Sequence, residues 1–505
     1  MFRIFGPPGT GKTTTLLNMV DDALEAGTHP HRIAFLAFTR KAANEAKERA
    51  AERFNLSPKT DLIHFRTLHS LALTMTDIRS EQVMQEAHFK ELSEAIGIPL
   101  GRKKVGSFDD DIPSMVASSD PILGLINLAR LRRVPLREQY NDSNLRKDWN
   151  TVHYVDRCLR EYKDSMSLYD FTDMLAEFVK GSDRFCPDFD LCVLDEAQDL
   201  SPLQWEMAHA IDDHSERMYV AGDDDQAIYR WAGADVDHFI NLPGGSETLS
   251  QSYRIPRLVH NLAENVVRRI VRRFPKRYEP KGEAGNVTRI DSISAINMAE
   301  GSWLILAQAG YLLQPVATEL KSSGYLFNYR GHRSISEKLA YSVNGWEQLR
   351  KGKEITGEVA RKIYSFMSVG KRVVRGYKKL TGIEDHEMIT MGTLVDNYGL
   401  KADKAMIWSE AMDKLPDIDR AYITALLRRG EKFNGIPRIT ASTIHGSKGG
   451  EADNVVLFTD LSPAADNEMR INPDDMHRVF YVGLTRTKQN LFIVDSVDAT
   501  RSYDL

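Results

Sequence analysis

Residues 6–13 read Gly6-Pro7-Pro8-Gly9-Thr10-Gly11-Lys12-Thr13 and match the pattern GxxxxGK[ST] of a phosphate-binding loop. A short apolar run, Arg3–Phe5, precedes the loop, and a helical pattern, Lys12–Ala26, follows it. Glycines let backbone N–H groups turn inward on phosphates, and the N-terminus of the following helix adds positive potential. We therefore expect Lys12 to reach the β- and γ-phosphates of a nucleotide and Thr13 to hold Mg²⁺.

A pair of acidic residues supplies the second half of such a site. Asp195 and Glu196 directly follow the apolar run Cys192–Leu194, which predicts a strand that ends at the two carboxylates. A carboxylate in this position can bind Mg²⁺ through water, which we assign to Asp195. Glu196 can orient and deprotonate an attacking water. The loop and the acidic pair together predict hydrolysis of a nucleoside triphosphate.

Composition and charge bound the class of protein. The chain has 505 residues, 42% of them apolar and 27% charged, and a formal net charge of −5, which is typical of globular domains. It lacks a run of about eighteen apolar residues that could span a membrane, and Met1–Phe5 leaves no room for a secretory signal. The cysteines form neither a disulfide framework nor a CxxC pair, so we expect a reducing, intracellular compartment; they are Cys158, Cys186 and Cys192. The acidic balance argues against a protein that coats nucleic acid by bulk charge.

The order of apolar runs and helical patterns predicts an α/β fold with parallel sheets. Strands are expected at Arg3–Phe5, Arg32–Phe38, Leu191–Leu194, Met218–Ala221, Trp303–Ala307, Val455–Phe458 and Leu491–Val494, and helices at Lys12–Ala26, Lys41–Phe54 and 258–271. Two stretches, 73–168 and 334–432, are polar and helical, and the first contains an acidic loop at Asp109–Asp111. The chain therefore divides into two sheet-containing regions, each carrying one helical insertion.

Eight motifs, in their family order, resemble those of UvrD/Rep/PcrA-type helicases of superfamily 1A. The loop is the first. Asp195-Glu196-Ala197-Gln198-Asp199 resembles motif II, and the stretch Gly222-Asp223-Asp224-Asp225-Gln226-Ala227-Ile228-Tyr229-Arg230-Trp231 resembles motif III. The others are Ala37–Ala43 (motif Ia), Phe65–Ser70 (Ib), Gln251–Arg254 (IV), Thr443–Glu451 (V) and Tyr481–Thr487 (VI).

The resemblance implies two RecA-like P-loop NTPase domains, 1A and 2A, each interrupted by a mainly helical insertion, 1B or 2B. Their expected bounds are 1–72 with 168–253 for 1A, 73–167 for 1B, 254–333 with 434–505 for 2A, and 334–433 for a reduced 2B. ATP is expected in the cleft between 1A and 2A, and single-stranded DNA across the top of both.

The resemblance also assigns roles in ATP binding and hydrolysis. Gln226 is expected to sense the γ-phosphate, and Arg254 and Arg486 to act as arginine fingers, whose planar guanidinium groups stabilise charge on the transferring phosphoryl group. Tyr253 is expected to stack on adenine and Glu451 to meet the ribose. The expected catalytic residues are Lys12, Asp195, Glu196, Gln226, Arg254 and Arg486, with Thr13 and Asp195 on Mg²⁺. The remaining contacts to ATP are expected from Gly6, Pro7, Pro8, Gly9, Thr10, Gly11 and Thr14.

The DNA contacts implied by the resemblance are aromatic and small polar. Trp231 is expected to stack on a base, and Tyr229, two residues earlier, shares its face if the segment is extended. The other positions that match strand-contacting residues of the family are Phe38, Thr39, Thr67, His69 and His445. For His69 and His445, a structural role as hydrogen-bonding side chains is the alternative. We do not interpret them as metal ligands, because the sequence has no third ligand at a suitable spacing from them.

Several residues depart from the family pattern. Only five residues precede Gly6, so the family's upstream glutamine that reads adenine is expected to be missing or replaced elsewhere. Thr14, Ala232 and Gln308 stand where the family often has arginines. The chain ends eighteen residues after Thr487, so no nuclease domain or partner-binding tail is expected. This compactness suggests a phage-type member.

Two basic clusters lie outside the motifs. The first contains Arg268, Arg269, Arg272, Arg273, Lys276 and Arg277, and we interpret it as a solvated helix end, with a phosphate-contacting patch as the alternative. The second contains Lys371, Arg372, Arg375, Lys378 and Lys379, where contact with duplex DNA is the sharper interpretation.

The sequence thus predicts an ATP-dependent single-stranded-DNA translocase and helicase that uses ATP and Mg²⁺ and, by resemblance, moves 3′→5′. Expected partners are single-stranded DNA and duplex/single-strand junctions, with a monomer as the motor, no membrane, and a cytoplasmic location (the host cytoplasm if phage-encoded). Three alternatives remain: a 5′→3′ helicase like those of superfamily 1B, a translocase that displaces proteins without unwinding, and a nucleotide-gated binding module. The intact catalytic set disfavours the last.

Overall fold

The structure is a computed structural model that describes residues 1–100, 120–496 and 498–505. The predicted acidic loop Asp109–Asp111 lies outside these residues. The chain divides into two compact units, one formed by residues 1–289 and 444–505 and the other by residues 290–443.

The strands of the described residues are β1 (Phe2–Phe5), β2 (Ile33–Ala37), β3 (Phe65–Thr67), β4 (Leu191–Asp195), β5 (Met218–Gly222), β6 (Ser246–Thr248), β7 (Asn286–Ile290), β8 (Trp303–Ala307), β9 (Phe327–Tyr329), β10 (His332–Arg333), β11 (Ile355–Thr356), β12 (Met388–Ile389), β13 (Ile439–Thr443), β14 (Ala452–Phe458) and β15 (Thr487–Val494).

The helices are α1 (Lys12–Glu25), α2 (Arg40–Phe54), α3 (Leu68–Met75), α4 (Glu86–Ile96), α5 (Pro121–Arg132), α6 (Leu136–Asn141), α7 (Trp149–Met166), α8 (Phe171–Lys180), α9 (Ser182–Phe185), α10 (Pro202–Asp213), α11 (Val236–Asn241), α12 (Arg257–Val267), α13 (Gln314–Ser322), α14 (Glu337–Arg350), α15 (Gly357–Ser365), α16 (Met391–Tyr398), α17 (Trp408–Ala411), α18 (Asp417–Arg429), α19 (Pro463–Ile471) and α20 (Pro473–Leu484).

The first unit is built on a six-stranded sheet in the order β3-β2-β4-β5-β1-β6, with every pair parallel. Its register aligns the carboxyl ends of the strands: Phe5 pairs with Gly222, and Ala37 pairs with both Thr67 and Asp195. The phosphate loop and motifs Ia, Ib, II and III therefore leave the sheet along one edge, where α/β proteins bind their ligands. The predicted α/β class with parallel sheets is confirmed.

An apolar core holds this edge in place. Buried side chains of β1, β2 and β4, such as Ile4, Phe35 and Val193, pack against Leu16 and Val20 of α1. Strands buried on both faces read as continuous apolar runs, which is why the sequence predicts them to within about two residues. The helix after the phosphate loop is thus fixed to the sheet by its own buried face.

The helices α4–α7 form a second core in this unit around buried leucine, isoleucine and valine side chains. Its junction with α8 is ionic. Arg130 and Lys163 bind Asp170, with distances of 2.6 and 2.8 Å, and both also pair with Asp173. The two aspartates cap the N-terminus of α8 reciprocally. Tyr169–Asp173, expected to mark the return from the insertion, is therefore a buried, charge-paired corner.

The first unit is completed by α12, α19, α20 and the parallel pair β14 and β15. The predicted helix 258–271 ends at Val267, because Asp474 accepts hydrogen bonds from the backbone N–H groups of Val271 and Arg272, both at 2.9 Å. Val271, expected on the apolar face, is 84% exposed.

In the second unit, β13 lies between β8 and β9, parallel to both, and β10 runs antiparallel to β9. The helices α13–α18 lie between β8 and β13 in the sequence, and β11 and β12 form a small antiparallel pair. Helices are thus the main regular secondary structure of the stretch 334–432, as predicted. Among the described residues of the whole chain, none of the helices has the length and apolar character needed to cross a membrane.

Candidate active site

The phosphate loop has the backbone that its glycines predict. Gly9 and Gly11 adopt φ values of +73° and +76°, a left-handed conformation that side chains with a Cβ rarely adopt. A Cβ on Gly9 would also collide with the side chain of Arg254. Helix α1 begins at Lys12 without a side-chain cap, so its first N–H groups keep their capacity to bind an anion.

Lys12 lies opposite the acidic pair at the end of β4. Its Nζ is 3.0 Å from Asp195 Oδ1 and forms a short ion pair with Glu196 Oε1. Burial lowers the pKa of Lys12, but the two carboxylates outweigh burial and raise it above its ordinary value. The lysine is therefore charged, and the two carboxylates hold it where a phosphate would compete for it.

Glu196 is held in a strained and ionised form. Its φ of +58° lies in the left-handed region, which is sparsely populated outside glycine. Gln198 Nε2 donates to Glu196 Oε2 at 2.6 Å, and Lys448 Nζ lies 3.7 Å from the same oxygen. Burial raises the pKa of Glu196, but Lys12 and Lys448 outweigh that effect and hold the pKa below its ordinary value.

Gln226 and Arg486 meet beside this pair. Arg486 Nη2 donates to Gln226 Oε1 at 2.5 Å, and Gln226 Nε2 donates to Asp223 Oδ2 at 2.6 Å. Arg486 is only 2% exposed, and burial, with the nearby charge of Arg254, lowers its pKa to about 9. The guanidinium has no carboxylate partner among its hydrogen bonds in the described residues, so it is poised for an anionic ligand.

The second predicted arginine finger, Arg254, is engaged elsewhere. Its Nε and Nη2 contact Glu451 Oε2 at 2.6 and 2.5 Å, and Lys488 Nζ contacts the other oxygen at 2.5 Å. The backbone of the preceding residue, Tyr253, donates from its N–H to the Gly9 carbonyl at 2.8 Å, while its side chain is 75% exposed. Motif IV is thus anchored directly on the phosphate loop.

The three aspartates of motif III form a buried ionic cluster. The Nζ of Lys276 lies 3.0, 2.6 and 2.6 Å from Asp223 Oδ1, Asp224 Oδ1 and Asp225 Oδ2. Arg273 binds Asp225 through two parallel hydrogen bonds of 2.8 and 2.7 Å. The interpretation of residues 268–277 as a solvated helix end is therefore wrong for these two cations, because paired carboxylates stabilise their burial.

The oxygen ligands that fit Mg²⁺ are those of Thr13 and Asp195. Thr13 Oγ1 lies 3.4 Å from Asp195 Oδ2, so a hydroxyl and a carboxylate, both hard donors, face one point beside Lys12. The carboxylates of Asp223, Asp224 and Asp225 are also close enough together to bind a cation. Their cation is the ammonium of Lys276, which forms an ion pair with one oxygen of each.

The two aromatic residues of motif III do not lie on an extended segment, which was the condition of the prediction that they share one face. Residues 230–232 form a 3₁₀ turn, and the rings of Tyr229 and Trp231 meet edge to face with their centroids 6.4 Å apart. Tyr229 is 5% exposed and stacks on Phe38, with ring centroids 5.8 Å apart, whereas Trp231 is 51% exposed. The His445 ring lies 6.3 Å from that of Trp231. Of these two motif III residues, Trp231 is the one that presents an open aromatic surface.

Two of the remaining predicted DNA contacts, Thr39 and Thr67, lie at helix starts along the carboxyl edge of the first unit's sheet. The hydroxyls of Thr39 and Thr67 cap α2 and α3, accepting from backbone N–H groups at 3.2 Å. Burial lowers the pKa of His69 to about 3 and that of His445 to about 4, with nearby cations adding to the shift. Both imidazoles are neutral at neutral pH, so they do not act as phosphate-binding cations.

Lys448 is the site residue that the sequence analysis did not single out. Its Nζ pairs with Asp199, donates to the Gln226 carbonyl at 3.0 Å and lies 4.9 Å from the centre of the Tyr229 ring. It therefore contacts motif II, Gln226 and the buried aromatic of motif III at once. The sequence could have indicated Lys448 as a site residue, because it lies inside motif V.

A glycine loop at the carboxyl end of a parallel strand, with its lysine facing an acidic pair on a neighbouring strand, defines a P-loop protein of the α/β class. Residues 2–244 match the family model for the UvrD/REP helicase N-terminal domain, and residues 438–494 match that for the UvrD-like helicase C-terminal domain. The two ranges together cover more than half of the chain, which belongs to the UvrD-like helicases of superfamily 1A.

Curated relatives agree with this family. The ATP-dependent DNA helicase PcrA of Leuconostoc citreum is 26% identical over 266 residues, 50% of this chain and 35% of the relative. PcrA of Bacillus subtilis is 27% identical over 273 residues, 49% of this chain and 34% of the relative. A probable DNA helicase II homolog of Mycoplasma capricolum is 22% identical over 419 residues, 76% of this chain and 53% of the relative. The chain thus spans about a third to a half of the length of these relatives.

Among solved structures, one described as the structure of PRRSV helicase matches 99% of this chain and 53% of its own, with a TM-score of 0.34 and 11% identity. So low a score carries no argument about the fold.

Proposed function

We propose that the protein is an ATP-dependent translocase on single-stranded DNA that unwinds duplex DNA. One observation carries the proposal: the phosphate-loop lysine, the acidic pair, Gln226 and Arg486 converge in one network of contacts. Membership of the UvrD-like family supports it, as do relatives named ATP-dependent DNA helicases.

ATP hydrolysis in this site uses charges that are already paired. The phosphates of ATP compete with Asp195 and Glu196 for Lys12, and release of the lysine leaves Glu196 more basic and able to orient a water. Thr13 and Asp195 would hold Mg²⁺, which would supply positive charge to polarise the phosphoryl oxygens. Gln226 and Arg486 face the γ-phosphate as a unit, since each fixes the other.

Arg254 joins the site only when its pair with Glu451 opens. That carboxylate holds the guanidinium through two nitrogens. In the proposed cycle Glu451 binds the ribose and Arg254 binds the phosphates. Tyr253 stacks on adenine from its exposed position beside the loop. Binding of the whole nucleotide is then coupled to rearrangement of motif IV.

The DNA strand is proposed to cross the edge that carries Phe38, Thr39, Thr67, His69 and Trp231. Lys448 supports a coupling between this edge and the ATP site, because it contacts Glu196, Gln226 and the ring of Tyr229. Stacking on Trp231 makes the grip tolerant of sequence, and a chain with a net charge of −5 has little bulk attraction for DNA.

Finer features of the proposal come from the family resemblance. These are 3′→5′ movement, binding at junctions of duplex and single strand, action as a monomer in the cytoplasm, and the four-part division 1–72 with 168–253, 73–167, 254–333 with 434–505, and 334–433. Movement 5′→3′, or displacement of proteins without unwinding, is a distinct outcome of the test below.

The test measures ATP hydrolysis with and without single-stranded DNA, then strand displacement on duplexes with a 3′ or a 5′ tail. We expect DNA to stimulate hydrolysis and unwinding to require the 3′ tail. Lys12→Ala serves as the inactive control, since it removes the phosphate-binding ammonium. A rate of ATP hydrolysis that does not rise with DNA, or that is unchanged in Lys12→Ala, would refute the proposal. Unwinding from a 5′ tail alone would reverse the direction, and stimulation without unwinding would leave a translocase.

Replacing Trp231 by alanine is expected to weaken binding of single-stranded DNA by about 5- to 150-fold, because loss of one base–aromatic stack costs about 1–3 kcal/mol. Basal ATP hydrolysis should remain, since the side chain is half exposed and outside the ATP network. Fluorescence anisotropy with labelled oligothymidine measures the change. Tyr154→Ala, which removes another exposed ring of the same unit, is the matched control. Equal effects of the two substitutions would remove Trp231 from the DNA site.

A further inference from the structure

Gln226, the proposed γ-phosphate sensor, is oriented from both ends of its amide. Its oxygen accepts from Arg486, and its nitrogen donates to Asp223 Oδ2 at 2.6 Å. Arg486 can only donate and the Asp223 carboxylate can only accept, so together they fix which way the amide points. The orientation of the sensor therefore depends in part on the orientation of the Asp223 carboxylate.

The Asp223 carboxylate is in turn held by Lys276. One of its oxygens, Oδ1, lies 3.0 Å from Lys276 Nζ in an ion pair and accepts from the backbone N–H of Asp225 at 3.2 Å, which leaves Oδ2 directed at Gln226. The side chains of Lys276 and Asp223 are each 1% exposed, so no water competes strongly for this contact. The ammonium forms ion pairs with the carboxylates of Asp223, Asp224 and Asp225, and it donates a hydrogen bond to Asp224 Oδ1 at 2.6 Å.

Arg273 belongs to the same cluster but contacts fewer of its carboxylates than Lys276 does. It binds Asp225 through both oxygens and has no contact with Asp223 among the hydrogen bonds and ion pairs of the described residues. Both cations neutralise the cluster, yet only Lys276 touches the carboxylate that holds the sensor. This difference separates a positioning role from general charge balance.

We propose that Lys276 is a positioning residue for Gln226: its ammonium fixes the Asp223 carboxylate, which fixes the side-chain amide of the γ-phosphate sensor. The inference rests on the proposed ATPase function. Lys276 reaches motif III from the segment that follows α12, and Arg478 closes the same junction by donating from Nε to the Asp224 carbonyl at 2.9 Å. Any movement of that segment is thereby transmitted to the sensor.

The test must separate loss of positioning from loss of folding. Lys276→Met alone leaves three buried carboxylates against one guanidinium. The double variant Lys276→Met/Asp224→Asn removes one cation and one anion, so the cluster keeps its net charge of −1, and the new amide oxygen can still accept from the backbone N–H of Phe274. Asp224→Asn alone and Arg273→Met are the matched controls.

We expect the double variant to fold, as judged by its melting temperature, and to hydrolyse ATP about 10- to 100-fold more slowly at saturating DNA, as for loss of other supporting contacts around a site. KM for ATP should change little. The preference for ATPγS over ADP, measured by displacement of a fluorescent nucleotide, should shrink, because the sensor no longer reads the γ-phosphate. Asp224→Asn and Arg273→Met should retain that preference.

Three results would overturn the inference. One is wild-type hydrolysis and nucleotide preference in the double variant. Another is an equal loss of preference in Arg273→Met, which would make the whole cluster, rather than Lys276, responsible. The third is wild-type protein that does not hydrolyse ATP, which refutes the proposed function as well and is seen before any variant is made.

Discussion

Replacing Glu196 by glutamine is expected to slow ATP hydrolysis by about 10²- to 10⁴-fold, the usual contribution of a positioned general base. Glu196 is the carboxylate that Lys12, Lys448 and Gln198 hold in its ionised form at the end of β4. An amide of the same shape cannot take a proton from water. The chemical step should therefore be lost while the architecture of the site persists.

Nucleotide binding should not weaken in this variant, and this separates it from a misfolded protein. Glu196 and Asp195 both compete with a phosphate for Lys12, and the substitution removes the shorter of the two ion pairs. We expect ATP affinity equal to or tighter than that of the wild type. Single-turnover hydrolysis and titration with a fluorescent ATP analogue measure the two quantities.

The matched control is Glu206→Gln. It makes the same change on a carboxylate that pairs with Arg133 at 2.7 Å on the unit's surface, away from the ATP network. Near wild-type hydrolysis by Glu196→Gln, or parallel losses in both variants, would contradict the role of general base.

The edge of the sheet was predictable because each of its main strands is a local apolar pattern in the sequence. β1, β2, β4 and β5 are apolar runs buried on nearly every residue, and each ends at a motif. β6 and β7 are polar and largely exposed, so no apolar pattern predicts them. The short β3, Phe65–Thr67, lies inside motif Ib but is only three residues long.

Contacts between residues distant in the chain were not predictable from local patterns. Lys276 lies about fifty residues from the aspartates that it binds, and within its own segment it is one of six cations. Burial separates these cations: the side chain of Lys276 is 1% exposed, whereas that of Arg268 is 73% exposed. Only the fold brings Lys276 and the motif III carboxylates together.

The net charge of −5 does not describe how charge is distributed in the fold. Some of the acidic residues are paired internally: Asp223, Asp224 and Asp225 with Lys276 and Arg273, and Asp170 with Arg130 and Lys163. Net charge therefore says little about whether a local surface binds DNA. That surface, as proposed, depends on stacking and on hydroxyl groups at helix starts.

Replacing Arg486 by alanine is expected to have the largest effect on the hydrolytic step, because an arginine that stabilises the transferring phosphoryl group contributes about 10³- to 10⁵-fold to its rate. Arg486 is buried, and in the described residues its hydrogen bonds go to neutral oxygens, such as the Gln226 side chain and the Val482 and Gly450 carbonyls. Burial lowers the pKa of Arg486, which means that keeping its guanidinium charged costs desolvation free energy, and among the described residues no carboxylate hydrogen-bonded to it offsets that cost. A group held at such a cost is suited to an anionic ligand.

Arg486→Lys distinguishes charge from shape. Lysine keeps the positive charge but cannot reproduce the planar fork that donates to Gln226, Val482 and Gly450 at once. We expect it to recover only a small part of the rate lost in Arg486→Ala. Arg470→Ala, which removes an exposed arginine paired with Asp466, is the control and should hydrolyse ATP normally. The melting temperature of each variant, measured alongside, separates loss of the hydrolytic step from loss of folding. A large fall in melting temperature that accounts for the lost rate would instead make Arg486 a structural residue.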